Sequence, residues 1–141
     1  MSLSFEDLQV GTQVPQLSKV ATREDIAAYA EVSGDRNPLH LSDEAARERG
    51  FDGIIGHGMF TLAHLITCLT NWTEDPTLLE HIKANFRAAV RPGDTMVAGG
   101  EVTSLNEPGR TAKLDVWVRV DHFDGESEEA IRRSVARLKF R

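Results

Sequence analysis

One run, Met59 to Leu69, constrains this chain more than any other stretch. Met59, Phe60, Leu62, Ala63, Leu65, Ile66, Cys68 and Leu69 make a helix apolar on nearly every side, with His64 and Thr67 as its polar interruptions. Such a helix has to be buried. It is shorter than the ~20 residues of a membrane span, so the rest of the chain must enclose it. From Glu80 on, the apolar period changes to two. Ile82, Ala84, Phe86, Ala88 and Val90 alternate with Lys83, Asn85, Arg87 and Arg91. After the turn Pro92-Gly93-Asp94, Met96, Ala98, Gly100 and Val102 alternate with Thr95, Val97, Glu101 and Thr103. After Asn106-Glu107-Pro108-Gly109, Ala112, Leu114, Val116, Val118 and Val120 continue the pattern, and Ala130 to Phe140 forms the last strand. Four strands joined by short turns predict an antiparallel meander with one buried face. Helices first and a meander second predict an α+β fold.

The first part of the chain reads as follows. Phe5 to Gln13 is a polar lead-in. Val14 to Ala21 holds a short strand weakened by Pro15. Thr22 caps a helix, with Asp25 three residues on and Ile26, Ala27, Tyr29, Ala30 and Val32 on its apolar face. A second, mostly charged helix runs from its cap Ser42 to Gly50. Phe51 to Gly58 is a loop with glycines at 53, 56 and 58, which implies unusual dihedrals or close backbone approach. Trp72 to Leu79 is a loop containing Pro76. No repeat, linker or low-complexity tract appears, and residues 1–141 read as one domain with enough chain for a core.

The run Tyr29 to His40 joins helix to loop. Gly34, Asn37 and Pro38 are breakers, so the first helix stops near Ser33. Asp35 and His40 then lie on irregular backbone, and a loop that curls back would aim both at one point. A carboxylate and an imidazole so placed can hold a water and move protons near neutral pH. The bland alternative is that Asp35 caps the following turn and His40 packs at a helix start. Tyr29 reads as a core aromatic.

The run also resembles a known signature. An aromatic (Tyr29), a small residue before Gly-Asp (Ser33-Gly34-Asp35), Asn37-Pro38, an aliphatic and a histidine (Leu39-His40) are similar to the motif of the MaoC-like family. These are (R)-specific hydratases of enoyl thioesters with a hot-dog fold. Gly56-His57-Gly58-Met59 follows at the family's separation. The short length and Asn71-Trp72 are most similar to actinobacterial (3R)-hydroxyacyl-ACP dehydratase subunits, ACP being acyl carrier protein.

The resemblance implies an antiparallel sheet wrapped around the long central helix. It implies interconversion of a trans-2-enoyl thioester and a (3R)-hydroxyacyl thioester, on CoA or ACP, in fatty-acid or related acyl metabolism. Asp35 and His40 would be the catalytic pair, His40 facing the C2 proton and Asp35 the C3 oxygen. Gly58, at the start of the buried helix, would offer its N–H to the thioester oxygen. Asn37 would orient the loop. His57 would either touch substrate or hold the loop. Some members bond a serine of the central helix to the aspartate. Here that position is Ile66, beside Thr67, which leaves the partner of Asp35 open. An acyl tunnel would run beside the helix, where Met59, Leu62 and Ile66 are pocket or plain core. Trp72 and Trp117 line it or simply pack.

Net charge is −6 and the isoelectric point about 5.3, against a nucleic-acid binder. The lone Cys68 excludes an internal disulfide and fits a reducing cytosol. No CxxC or HExxH pattern supports a metal, His64, His81 and His122 lack ligand spacing, and no cofactor is expected. The first residues lack a signal-peptide pattern, so a cytoplasmic location is expected. Lys83, Arg87 and Arg91 either meet a carrier phosphate or line an exposed strand face. Open sheet edges and the family imply a homodimer, or a heterodimer with a related hot-dog chain. Competing readings are a non-catalytic subunit of such a heterodimer, a hot-dog thioesterase, and an acyl-binding regulatory module. A thioesterase usually needs a carboxylate on the central helix, and Met59 to Leu69 has none.

Overall fold

A computed structural model describes residues 2–141. The chain forms β1 (Gln13–Val20), α1 (Arg23–Ser33), α2 (Asp43–Glu48), α3 (Gly58–Thr73), β2 (Leu79–Lys83), β3 (Thr95–Asn106), β4 (Thr111–Asp121) and β5 (Ser127–Lys139). The five strands make one antiparallel sheet in the order β1-β3-β4-β5-β2. Its inner face lies on α3, as the hot-dog resemblance implies. Leu65, Cys68 and Leu69 meet Met96, Ala98, Leu114, Val118 and Ile131 in one core. Burying each large apolar side chain there contributes roughly 1.5–3 kcal/mol.

The helix starts follow their capping residues. The Thr22 hydroxyl accepts the Asp25 N–H at 3.0 Å, and the Ser42 hydroxyl accepts that of Ala45 at 3.2 Å. α1 ends where Gly34 turns left-handed, at φ 79°, a conformation that favours glycine. Pro15 is tolerated because β1 is an edge strand, and its pairing with β3 slips between Val14 and Leu17.

Two expectations change. α3 is not enclosed on every side: Met59, Ala63 and Thr67 are exposed along one stripe. The four-strand meander is also three. β3, β4 and β5 follow one another, but β2 pairs with β5 on its far side. The alternating segment after β2 does not extend the ladder; Phe86 makes a single bridge to Ile131. It rests on an irregular stretch of β5 instead. Between Val116↔Ser134 and Val118↔Ile131, β5 carries an extra residue, and Arg133 takes φ 49°. Asn85 fills this bulge. Its N–H donates to the Ser134 hydroxyl at 2.8 Å and its side-chain amide to the Arg133 carbonyl at 2.7 Å. The period of two was real, but it does not name the partner strand.

A charged knot holds the turn before β3. Asp94 is fully buried; its Oδ2 accepts His122 Nδ1–H at 2.7 Å and the Arg91 N–H at 2.8 Å, and its Oδ1 accepts the Phe123 N–H at 3.0 Å. His122 Nε2 meets Glu128 at 2.6 Å. Burial alone would lower the His122 pKa, but hydrogen bonds to Glu128 and Asp94 outweigh it and raise it above 6.5. A raised native value is stability fully present below the unfolded pKa and lost as pH rises through the native one. The thermal midpoint is therefore expected to fall as pH climbs above the ordinary imidazole range, and His122→Gln to flatten that slope. Scanning calorimetry across pH checks this; an equal slope in the variant contradicts it.

Candidate active site

The loop after α1 is built by three side chains, each accepting a backbone N–H two residues on. The Ser33 hydroxyl takes that of Asp35 at 3.1 Å, Asp35 Oδ1 that of Asn37 at 3.3 Å, and Asn37 Oδ1 that of Leu39 at 3.2 Å. This is turn chemistry that Ser, Asp and Asn perform locally. The bland reading of Asp35 as a cap is thus half right, because one oxygen caps and Oδ2 is left over. Asn37 also caps the one-turn 3-10 segment Pro38–His40, which carries His40 inward.

His40 is buried, and its Nδ1 lies 2.7 Å from the Ile55 carbonyl. A carbonyl oxygen can only accept, so Nδ1 carries the proton and Nε2 presents a lone pair. His57 is buried too, with its Nε2 2.9 Å from the Asp35 backbone carbonyl. The two imidazoles stack, with centroids 3.7 Å apart and planes 23° apart. Asp35, His40 and His57 each bring one polar atom within 4.8 Å of the others. Among the described residues no other such group of histidine, cysteine and carboxylate side chains forms. A shared metal ion would need lone pairs converging at about 2.0–2.1 Å. Nearly parallel rings send their in-plane lone pairs side by side, so the arrangement suits a water between imidazole and carboxylate better than an ion.

Gly58 opens α3. The N–H groups of Phe60 and Thr61 both reach the His57 carbonyl, while those of Gly58 and Met59 make no hydrogen bond among the described residues. An unpaired N–H at a helix start favours an anion. The Phe86 ring lies over Gly58, 3.4 Å from where a Cβ would stand. The loop before α3 is braced by Asp43, whose carboxylate accepts the Ile54 N–H at 2.9 Å and Arg23 at 2.9 Å. The Ile54 N–H first, then Arg23, hold its pKa below the usual carboxylate value.

Beside the site lies a mainly apolar cleft of about 450 Å³ between α1, α3 and β1, lined by Leu17, Ala28, Tyr29, Phe60, Ala63 and Met96. Tyr29 packs on His57, with centroids 4.9 Å apart, and on Phe60, so it forms a wall of the site as well as core. His64 also lines the cleft, bonds the Leu17 carbonyl at 2.9 Å, and is held below the usual imidazole pKa by burial. Ile66 cannot bond Asp35, whose carboxylate makes one hydrogen bond among the described residues, to the Asn37 N–H. Met59, Leu62 and Ile66 do not line the cleft. Trp72 packs against the core, and Trp117 lies across Gly99 on the outer face of the sheet. His81 is exposed on β2.

A MaoC like domain model matches residues 7–124. The chain belongs to the MaoC-like family. It is 38% identical over 114 residues to a 3-hydroxybutyryl-CoA dehydratase of Methylorubrum extorquens, covering 79% of this chain and 71% of that one. The structure is similar to the (R)-hydratase from A. caviae involved in PHA biosynthesis, with TM-score 0.81, 29% identity, 96% of this chain and 99% of that one covered. It is also similar to a MaoC-like dehydratase, with TM-score 0.90 and 26% identity, where 99% of this MaoC-like chain spans only 43% of the other.

Missed in the sequence were the bracing role of Asp43, the stacking of His57 on His40 and the knot around Asp94. Residues distant in sequence leave no spacing signal for such contacts. The loop chemistry has a direct consequence. Asp35→Asn keeps the Oδ1 acceptor and is expected to change stability by less than about 0.5 kcal/mol. Asn37→Ala loses its cap and is expected to lose about 0.5–2 kcal/mol. Denaturant midpoints compare the two, and the reverse ranking contradicts the assignment.

Proposed function

We propose that this protein is an (R)-specific hydratase/dehydratase that interconverts trans-2-enoyl and (3R)-hydroxyacyl thioesters. The single observation that carries the reading is the convergence of Asp35 and His40 within 4.8 Å beside a helix start. In dehydration, the His40 Nε2 lone pair faces the C2 proton and takes it. The electron pair moves onto the thioester oxygen, which the Gly58 N–H holds. It then returns to form the C2–C3 double bond as the C3 hydroxyl leaves, receiving a proton from the Asp35–His40 pair on the Asp35 side. In hydration the same groups serve one water. Asn37 holds the loop that aims both. No metal or organic cofactor is needed for these steps.

The acyl chain enters the cleft beyond Tyr29 and Phe60. Of the cations considered for a carrier phosphate, Arg91 is engaged by Asp124 at 3.2 Å and lies 4.7 Å over Phe123. Lys83 and Arg87 are exposed and remain for CoA or ACP. A thioesterase is disfavoured, since α3 holds no Asp or Glu. A purely supporting subunit is disfavoured by the intact Asp35 and His40. No helix among the described residues is long and apolar enough to cross a membrane. We place the enzyme in the cytoplasm as a single hot-dog domain, residues 1–141, in fatty-acid or related acyl metabolism.

Loss of enoyl absorbance on crotonyl-CoA tests the reaction. The native chain is expected to hydrate it, and Asp35→Asn and His40→Ala to drop by about a hundredfold or more while staying folded. A folded native chain inert toward this and longer enoyl thioesters sinks the reading. The working form is a dimer of this chain or a heterodimer with a related hot dog. The sheet leaves β1 and β2 as edges, and Met59 and Phe86 are 55% and 46% exposed beside the site. Light scattering that finds only monomer at micromolar concentration, with activity retained, contradicts this.

A further inference from the structure

His57 is costly as a mere helix start. As the residue before α3 it makes no side-chain cap to the helix, a task that Ser, Thr, Asp or Asn perform better. It is 3% exposed and its Nδ1 is buried with no hydrogen-bond partner among the described residues. Leaving such an atom unpaired gives up its hydration with nothing in return. An apolar ring would fill the same space without that penalty. The other nitrogen explains the choice. Its N–H reaches 2.9 Å to the peptide carbonyl of Asp35, 22 residues back. The carboxylate of that residue is already tethered through Oδ1 to the Asn37 N–H. With the backbone held by His57 and one oxygen held by the turn, Oδ2 is left with little freedom of direction.

The ring face does a second task. Among the described residues the His40 ring makes one hydrogen bond, Nδ1–H to Ile55, and a ring hinged at one point can rock about it. The His57 face, 3.7 Å away, limits that rocking, and Tyr29 supports His57 at 4.9 Å. One side chain thus touches the backbone of the acid and the ring of the base.

We propose that His57 is a positioning residue that couples Asp35 to His40, holding the Asp35 backbone carbonyl by a hydrogen bond and the His40 imidazole by its face. This rests on Asp35 and His40 being the reacting pair. His57 acts through them and touches no reacting atom.

The test uses the full chain and crotonyl-CoA, with kcat, KM and the thermal midpoint measured separately. His57→Phe keeps a ring and loses the N–H; His57→Gln loses the ring and keeps a donor near the Nε2 position. In a folded His57→Phe chain, kcat is expected to fall on the order of a hundredfold, as for a small misplacement of reacting groups. KM should stay within about threefold. His57→Gln should recover part of that loss. A folded His57→Phe chain with native kcat overturns the proposal, as does a His57→Gln chain no better than His57→Phe. If neither variant folds, nitrogen NMR of the native chain decides. The proposal requires His57 protonated on Nε2 and bare on Nδ1, and the opposite tautomer overturns it. An inert native chain instead defeats the functional reading itself, which separates the two failures.

Discussion

The enclosure of α3 is the constraint from which the remaining structure follows. Leu65, Cys68 and Leu69 are at most 1% exposed, and the apolar inner face of the sheet covers them. A sheet wrapped along a helix covers its flanks but not its ends. The first turn of α3 therefore stays open, with the unpaired N–H of Gly58 and the exposed side chain of Met59 at that end. The stripe through Ala63 and Thr67 faces the cleft left between α3 and α1. Fold and site share one cause: burial of the helix middle requires exposure of its positive end.

Around that end, the order of the side chains comes from backbone carbonyls. Ile55 holds His40, and Asp35 in turn holds His57, so each of two loops offers a carbonyl to an imidazole carried by the other. The exchange sets both tautomers without a further charged side chain. Asp43 adds a third tie, since it joins the start of α2 to Ile54 and to Arg23 on α1. α2 looks from its composition like a solvated helix, yet its first residue braces the loop that bears Ile55 and His57.

Legibility in the sequence followed the range of the interactions. Thr22, Ser42 and Gly34 act on neighbours a few residues away, and their roles were readable. The apolar run of α3 and the period of two were readable because each reflects one element meeting one core. Placement of β2 beside β5 was not, since alternation records a face and not a partner. The bulge at Arg133 that receives Asn85 has no local signature either. At the site, Asp35 and His40 were found through a motif, and Asn37 through turn chemistry. Ile66 is a departure from the family pattern, and the Asp35 carboxylate accepts from the Asn37 N–H instead of from α3. The spacing of His122 showed only that it is no metal ligand, and Asp94 and Glu128, which bind it, lie too far from one another in sequence to announce a knot.

In the proposed reaction Asp35 and His40 add water across a carbon–carbon double bond and leave the thioester intact. The decisive experiment is hydration of crotonyl-CoA in deuterated water, with the product resolved by chirality and by mass. Only the (3R)-hydroxyacyl thioester, carrying one deuterium on C2, is expected, with no free thiol. Release of free CoA, or a (3S) product, overturns that reaction.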